Sequence, residues 1–375
     1  MKKALVHDWY YVNGGAEKVI HSMNNVYDDF EHFALIDFLN YDDKKSILKS
    51  KPVNTSFIQN FPGAKRNHRR YLPFFPMAIE QFDLRNYDLV VSSSSSVSKG
   101  VLTNHNQLHI CYCHSPMRYA WDFYHEYLSN ANLTSGLKSY FAKYILHKIR
   151  VWDVINSNRV DFFIANSHYI AKRIKKIYNR ESIVIYPPVD VESFKVDSNK
   201  ENYYFTASRL VSYKRMDLII GAFNQMPEKK LIISGNGPEM KRLKKMAKSN
   251  IEFTGFLSQS DLHKYMSSAK AFVFAAEEDF GIIPVEAQAC GTPIIGLGKG
   301  GINETVLHDK TGVLFRDQDI KSIKGAIDYF ETKKFNPEEI RKHAEKFSRK
   351  RFENEFKTFV EEKYQEFKLK QVNSI

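Results

Sequence analysis

Cysteine is nearly absent. Of 375 residues only Cys111, Cys113 and Cys290 carry a thiol, too few for a disulfide framework, and a reducing, cytoplasmic setting is the expectation. No apolar run approaches the ~20 residues that a membrane-crossing helix needs. The opening stretch Met1–His7 passes from a short apolar run straight into polar residues, which is not the build of a signal peptide. Integral membrane placement is therefore not expected, whereas attachment to a membrane surface stays open. Glycine (17) and proline (12) are sparse, with no Gly/Ser linker, internal repeat or low-complexity tract beyond Ser92–Ser96. Neither a repeat array nor a flexible tether is predicted.

What the chain does have is length, apolar content and positive charge. With 43% apolar and 14% aromatic residues it is too hydrophobic for a disordered protein and too long for one small core, so two domains are expected. The net charge of +12 favours anionic partners: nucleotides, phosphates, nucleic acid or acidic lipid.

Short apolar runs alternate with amphipathic stretches, the pattern of an α/β protein with parallel sheets covered by helices. Ala4–Val6, Leu89–Val91, His109–Tyr112 and Phe162–Ala165 are strand candidates in the first half, with the serines from Ser92 read as a strand end running into a loop. Tyr203–Phe205, Leu231–Ile233, Ala271–Phe274 and Pro293–Ile295 are their counterparts in the second. Between the halves, Ile183–Val189 ends in a proline pair and a polar stretch follows from Asp197 to Asn202. The predicted domains are 1–190 and 191–350, followed by a tail, 351–375. The whole stretch from Pro337 to about Lys370 is charged and periodic, with Phe347, Phe352, Phe356 and Phe359 available for packing.

The chemistry concentrates between Glu277 and Gly301. Glu278 and Glu286 flank Asp279-Phe280-Gly281-Ile282, which opens a predicted helix after a strand. A helix start presents free N–H groups and partial positive charge, suited to phosphates or hydroxyls, and nearby carboxylates can accept hydrogen bonds from a sugar. Helix capping by Glu278 or Asp279, with a solvated Glu286, is the plain alternative. Arg209 and Lys214 follow the strand at Tyr203 and would neutralise a diphosphate, the guanidinium by paired hydrogen bonds and the ammonium as a point charge. The turn Gly235-Asn236-Gly237-Pro238 offers glycines where backbone can approach a ligand.

Together these residues, with Ala289-Cys290-Gly291-Thr292-Pro293 and Gly300-Gly301-Ile302-Asn303-Glu304, resemble the retaining glycosyltransferases of family 4 over nearly the whole chain. That resemblance implies the GT-B fold: two Rossmann-like domains facing across a cleft, with a C-terminal helix crossing back to the N-terminal, acceptor-binding domain. It implies that Glu278 holds donor-sugar hydroxyls, Glu286 the ribose, and Arg209 with Lys214 the diphosphate. The base would lie near Gly237 and around Phe256 and Leu257. Phe280, Gly281 and Ile282 would line the donor site.

In the first half, Asn13-Gly14-Gly15-Ala16-Glu17 follows strand one and opens a helix, so Gly14 and Gly15 would let backbone approach the donor phosphate or the acceptor. A simple turn is the alternative, and the third glycine of a dinucleotide fingerprint is missing. His114 ends an apolar strand before Pro116, at the edge where open α/β sheets place ligands. By itself such a histidine is more often structural; the resemblance implies that it lies beside the donor sugar, with Arg118 and Asp122 helping to position the acceptor. His109, Cys111 and Cys113 alternate along one strand and cannot close a zinc site unaided. Asp317-Gln318-Asp319 is read as a helix N-cap rather than a cation site. No metal or other cofactor is expected.

Leu137, Phe141, Tyr144, Ile145 and Ile149 recur at helical spacing among lysines, and Lys65, Arg66, Arg69 and Arg70 sit beside Tyr71-Leu72 and Phe74-Phe75. A basic aromatic face suits an anionic membrane surface and a polyprenyl-diphosphate-linked acceptor, while a helix packing its apolar stripe inward explains the same spacing. Cys113–Asp122, His7-Asp8-Trp9 and Gly14–Glu17 look most like the bacterial mannosyltransferases of O-antigen, capsule and exopolysaccharide synthesis. GDP-mannose is the implied donor, a UDP-sugar the alternative, and a glycan or lipid-linked oligosaccharide the acceptor. A basic nucleic-acid-binding protein, a Rossmann oxidoreductase and a non-hydrolysing nucleotide-sugar epimerase are the rivals. The charges are dispersed without a nucleic-acid module, and no nucleic-acid partner is expected.

Overall fold

The computed structural model describes residues 1–197 and 199–372. It divides into two compact units: Met1–Tyr186 with the final segment from Phe352, and Pro187–Arg351.

The first unit is built on seven parallel strands: β1 (Lys3–His7), β2 (Phe30–Ala34), β3 (Val53–Thr55), β4 (Leu89–Ser94), β5 (Leu108–Cys113), β6 (Phe162–Ala165) and β7 (Ser182–Val184), in the order β3-β2-β1-β4-β5-β6-β7. β1, β4 and β5 are buried along their whole length, as strands covered on both faces must be. Buried serines in β4 are tolerated because each finds a polar partner: Ser92 Oγ lies 2.8 Å from His109 Nε2, and Ser93 Oγ 2.8 Å from His114 Nε2. The serine run is thus strand as far as Ser94.

The long helix Arg349–Val372 belongs to this unit from Phe352 onward. Phe352, Phe356, Phe359 and Val360 share one helix face and enter the core formed by Leu5, Val91, Ile110 and their neighbours. Phe347 does not join them. The predicted single tail is broken into helix Pro337–Ala344, a short turn, and the long helix, and Phe347 packs on Phe280 with ring centroids 5.6 Å apart. The division after Tyr186, four residues before the expected boundary, has a local cause. Val189 N–H donates to Phe347 O and its carbonyl accepts from Arg349 N–H, tying 187–190 to the second unit.

The second unit carries six parallel strands: β8 (Tyr203–Ala207), β9 (Lys230–Ser234), β10 (Ile251–Gly255), β11 (Ala271–Phe274), β12 (Ile294–Leu297) and β13 (Gly312–Phe315), in the order β10-β9-β8-β11-β12-β13. Its core gathers Tyr204, Phe223, Leu231, Val273, Ile295 and Ile327. In each sheet the chain works outward from one strand, then returns to that strand's other side. The reversal lies between β1 and β4 in the first sheet and between β8 and β11 in the second. At such a reversal the connections leave in opposite directions and open a crevice beyond the carboxyl ends of the two strands.

Candidate functional site

In the second unit the loops leaving β8 and β11 flank that crevice, and they carry the predicted charges. The β8 loop holds Arg209 and runs through the short turn Ser212–Lys214 to helix Met216–Phe223. The β11 loop holds Glu278 and leads to helix Ile282–Ala289, whose N-cap Gly281 has φ +86°. Lys214 Nζ and a Glu278 carboxylate oxygen form a direct ion pair. Arg209 is exposed, and among the described residues its guanidinium has no ion-pair partner. The arrangement differs from a simple division into cations for phosphate and carboxylates for sugar, because one cation and one carboxylate already hold each other.

Glycines set this geometry by letting backbones touch. A Cβ on Gly235, which has φ +130°, would lie 1.8 Å from Ser208 O, and one on Gly237 would lie 2.2 Å from Leu210 O. Leu210 N–H donates to Asn236 O across the same contact, at 2.9 Å. The turn expected to approach a ligand lies against the backbone on either side of Arg209 and fixes that loop. Gly300 (φ +78°) and Gly301 do the same for the carboxylate. Their Cβ atoms would fall 2.3 Å from Glu278 O and 2.4 Å from Asp279 O, and Gly301 N–H donates to Glu278 O at 2.8 Å.

Glu286 is buried on helix 282–289, about one turn along from its start. Gly281 is buried and Ile282 half-buried beside the N-terminal N–H groups. Phe280 is buried against Phe347, so what it leaves for a ligand is backbone rather than a ring face. Phe256 is exposed and Leu257 half-buried just past β10, on the same carboxyl edge.

In the first unit the corresponding edge is held by a residue whose role the sequence reading did not assign. Asp8, directly after β1, is fully buried, and its carboxylate accepts from Ser95 N–H and Oγ–H, Val97 N–H and Ser98 N–H at 2.6–3.0 Å. It thereby shapes the loop after β4. An aspartate placed between the end of a buried strand and a second strand ending in serines was the available signal. Ser96 Oγ reaches Tyr119 OH at 2.7 Å, linking this loop to the one after β5.

His114 sits in that β5 loop. Its Nε2 meets Ser93 Oγ, and Asn166 Nδ2 donates to its carbonyl. Burial, with neighbouring His7 adding to it, pushes its pKa down to about 3, so the ring is neutral at pH 7. Gly14 caps helix Gly15–Val26, and its N–H donates to Glu17 Oε2, a loop closed on itself as in a capping box. The other Glu17 oxygen lies 3.6 Å from His7 Nε2. Burial alone would lower the His7 pKa, but Glu17 and Asp8 outweigh it and raise it.

The two residues expected to help position the acceptor have partners within the first unit. Asp122 forms an ion pair with Arg173, and Arg118 lies over the Phe123 ring. Cys111 and Cys113 are buried, His109 is held by Ser92, and among the described residues no group of three or more His, Cys, Asp or Glu side chains could hold a metal ion. Asp319 caps helix Ile320–Glu331, accepting from Ser322 N–H at 2.7 Å.

Two family models match consecutive parts of the chain: Glycosyltransferase Family 4 over residues 13–193 and Glycosyl transferases group 1 over 188–351. Among curated proteins, a GDP-mannose-dependent alpha-(1-6)-phosphatidylinositol monomannoside mannosyltransferase of Mycolicibacterium smegmatis is 27% identical over 201 residues, 45% of this chain and 53% of that protein. An N-acetyl-alpha-D-glucosaminyl L-malate synthase of Bacillus anthracis is 28% identical over 38% of this chain and 40% of its own length. The chain thus matches about half the length of the curated relatives it resembles. Among solved structures, Anabaena Alr3699/HepE in complex with UDP and glucose superimposes with a TM-score of 0.70 at 19% identity, over 96% of this chain and all of that one. The lipopolysaccharide outer core galactosyltransferase WaaB gives 0.67 at 17% identity, over 97% and 100% of the two chains. The fold is the one these proteins share, with two parallel-sheet, Rossmann-like domains.

Proposed function

The chain belongs to the family 4 glycosyltransferases, and on that premise we propose that it moves a hexose, with retention, from a nucleotide-sugar to a glycan or lipid-linked oligosaccharide acceptor in surface polysaccharide synthesis. GDP-mannose is the donor we infer, on the names of several curated relatives; a UDP-sugar is the alternative that the ligands of the HepE structures favour. The observation that supports the reading is the Lys214–Glu278 pair, with Arg209 free of ion pairs among the described residues, all on two loops at the reversal point of the second sheet.

In this reading the donor diphosphate takes the Arg209 guanidinium through paired hydrogen bonds. Lys214 is shared between the phosphate and Glu278, whose carboxylate is thereby aimed at the hydroxyls of the transferred sugar. Gly281 and Ile282 supply backbone at a helix start. The bond from the anomeric carbon to the phosphate oxygen breaks as positive charge grows on the ring, and the leaving diphosphate is stabilised by the fixed cations. The acceptor oxygen forms its new bond on the same face, and its proton passes to the departing phosphate. No protein nucleophile and no metal ion take part. Neutral His114, with Nε2 engaged by Ser93, keeps Nδ1 for a substrate hydroxyl.

The test is transfer from radiolabelled GDP-mannose to a polyprenyl-diphosphate-linked oligosaccharide, with and without a chelator. The reading expects label in the lipid fraction and no loss with chelator. Release of an epimerised sugar without any acceptor would replace it with the epimerase reading.

A further inference from the structure

Helix Leu137–Ser157 has two apolar faces, and only one of them is covered. Leu146, Ile149, Asp153 and Asn156 are buried against the first unit. On the other side Leu137, Tyr140, Phe141 and Tyr144 are 92%, 77%, 64% and 52% exposed, and Val151 and Ile155 continue the line at 45% and 55%. At 100° per residue these six fall within roughly 100° of arc, along about 27 Å of helix. Lys148 falls within the same arc, between Tyr144 and Val151. Single exposed apolar residues need no explanation, but six aligned over this length do.

Its surroundings decide the occupant. From Leu137 to Trp152 there is no Asp or Glu, while Lys138, Lys143, Lys148 and Arg150 are present. The neighbouring segment Phe61–Ile79 is likewise free of acid, exposes Phe74 and Met77, and carries four exposed cations from Lys65 to Arg70. The two segments lie side by side. Trp152 Nε1 donates to Glu80 at 2.9 Å, and Tyr71, Leu72, Ile145 and Trp152 pack on one cluster. Glu80, at the junction of the two segments, is paired with Arg159, so a second copy of the chain on this face would set two predominantly basic surfaces against each other, which like-charge repulsion disfavours.

We propose that this stripe is a docking face for an anionic phospholipid bilayer, with the helix lying along the interface, Leu137, Phe141 and the tyrosine rings in the headgroup boundary, and the flanking lysines on lipid phosphates. Tyrosine suits that depth because it buries a ring and keeps a hydroxyl wet, and lysine because its stem covers apolar surface while its ammonium reaches the headgroups. The proposal deepens the lipid-linked acceptor reading by naming the face that meets the lipid, and it is independent of donor chemistry.

The test floats the full chain with vesicles of phosphatidylcholine alone or with about one third phosphatidylglycerol. Binding to the anionic vesicles only, released as salt is raised, is the expected result. The double variant Phe141→Asp/Tyr144→Asp should cut flotation about tenfold or more. Lys138→Glu/Lys148→Glu should weaken it and reduce its salt dependence. Both should leave the circular dichroism spectrum and soluble nucleotide-sugar binding unchanged. Absence of flotation, flotation indifferent to the aspartates, or a solution dimer that the aspartates split would overturn the proposal. Absence of nucleotide-sugar binding by the unaltered protein would sink the donor reading and leave this one standing.

Discussion

Lys214 and Glu278 stand 64 positions apart in the chain and form one ion pair, each arriving on a loop from a different strand of the second sheet. A largely buried pair has a consequence that an exposed pair lacks: removing one partner leaves the other mispaired, so the two act as a unit. Glu278→Gln should lower kcat/KM for the donor by about 100-fold or more while binding of the bare nucleotide diphosphate changes only a few-fold. Lys214→Met should weaken both. In a double-mutant cycle the double variant should lose clearly less than the sum of the two losses; additive losses would mean the pair does not act together.

Gly300 carries the second prediction. Its φ of +78° and the 2.3 Å approach of an added Cβ to Glu278 O mean that Gly300→Ala must displace the Glu278 backbone. Stability should fall by about 1–3 kcal/mol, with donor affinity falling in the same variant. Gly325→Ala is the contrasting case, since that glycine lies within a helix with nothing within 4 Å of an added Cβ. It should gain about 0.5–1 kcal/mol and leave donor affinity as it was. Denaturant unfolding with donor titration reads both.

The Asp8 carboxylate should matter to the first unit as an acceptor rather than as a charge in solution, because it accepts four hydrogen bonds from the loop after β4. Asp8→Asn puts an amide N–H against backbone N–H groups and should cost on the order of 3 kcal/mol. Thermal unfolding measures it; a melting temperature equal to that of the unaltered protein would contradict the clamp.

Histidines give the chain opposing pH responses. Burial, aided by neighbouring positive charge at His32 and His114, holds His32, His109 and His114 at about 3 against an ordinary 6.5. Each therefore binds a proton in the unfolded chain before it does so in the folded one, and stability falls as pH drops from 6.5 toward 3. His7 runs the other way. Its pKa is raised, so its contribution is complete below 6.5 and fades as pH rises through the folded value. Urea unfolding across pH should find a shallower acid limb in His109→Asn, and a larger loss for His7→Asn at pH 6 than at pH 9. Equal losses of His7→Asn at both pH values would contradict the His7–Glu17 contact.

Much of this was legible in the sequence where one residue type reports one environment. β1, β4, β5, β6, β8, β9, β11 and β12 announce themselves because each contains a short, mainly apolar run, as strands with covered faces must. β2 does not, since Glu31 and His32 interrupt it, and β3 and β7 are three-residue edges below the length at which a pattern forms. Arg209, Lys214 and Glu278 lie on loops after strands that the apolar pattern marks, but the Lys214–Glu278 contact is not visible in the sequence because it depends on two strands far apart in the chain meeting in one sheet. The Gly235–Gly237 turn suggests close backbone approach from sequence alone, and the structure shows one such approach, to the backbone at Ser208 and Leu210. Along Leu137–Ser157, apolar residues occur around most of the helix, so spacing alone could not choose a face. Ile145 and Ile149 turn in while Leu137, Phe141 and Tyr144 turn out.

The most direct measurement is a calorimetric titration of the intact protein with GDP-mannose, set beside UDP-glucose and repeated on Arg209→Ala and Lys214→Met. The account predicts saturable binding of a nucleotide-sugar at one site per chain, weakened about tenfold or more by either substitution. A donor bound equally well by both variants, or no nucleotide-sugar bound at all, would contradict it.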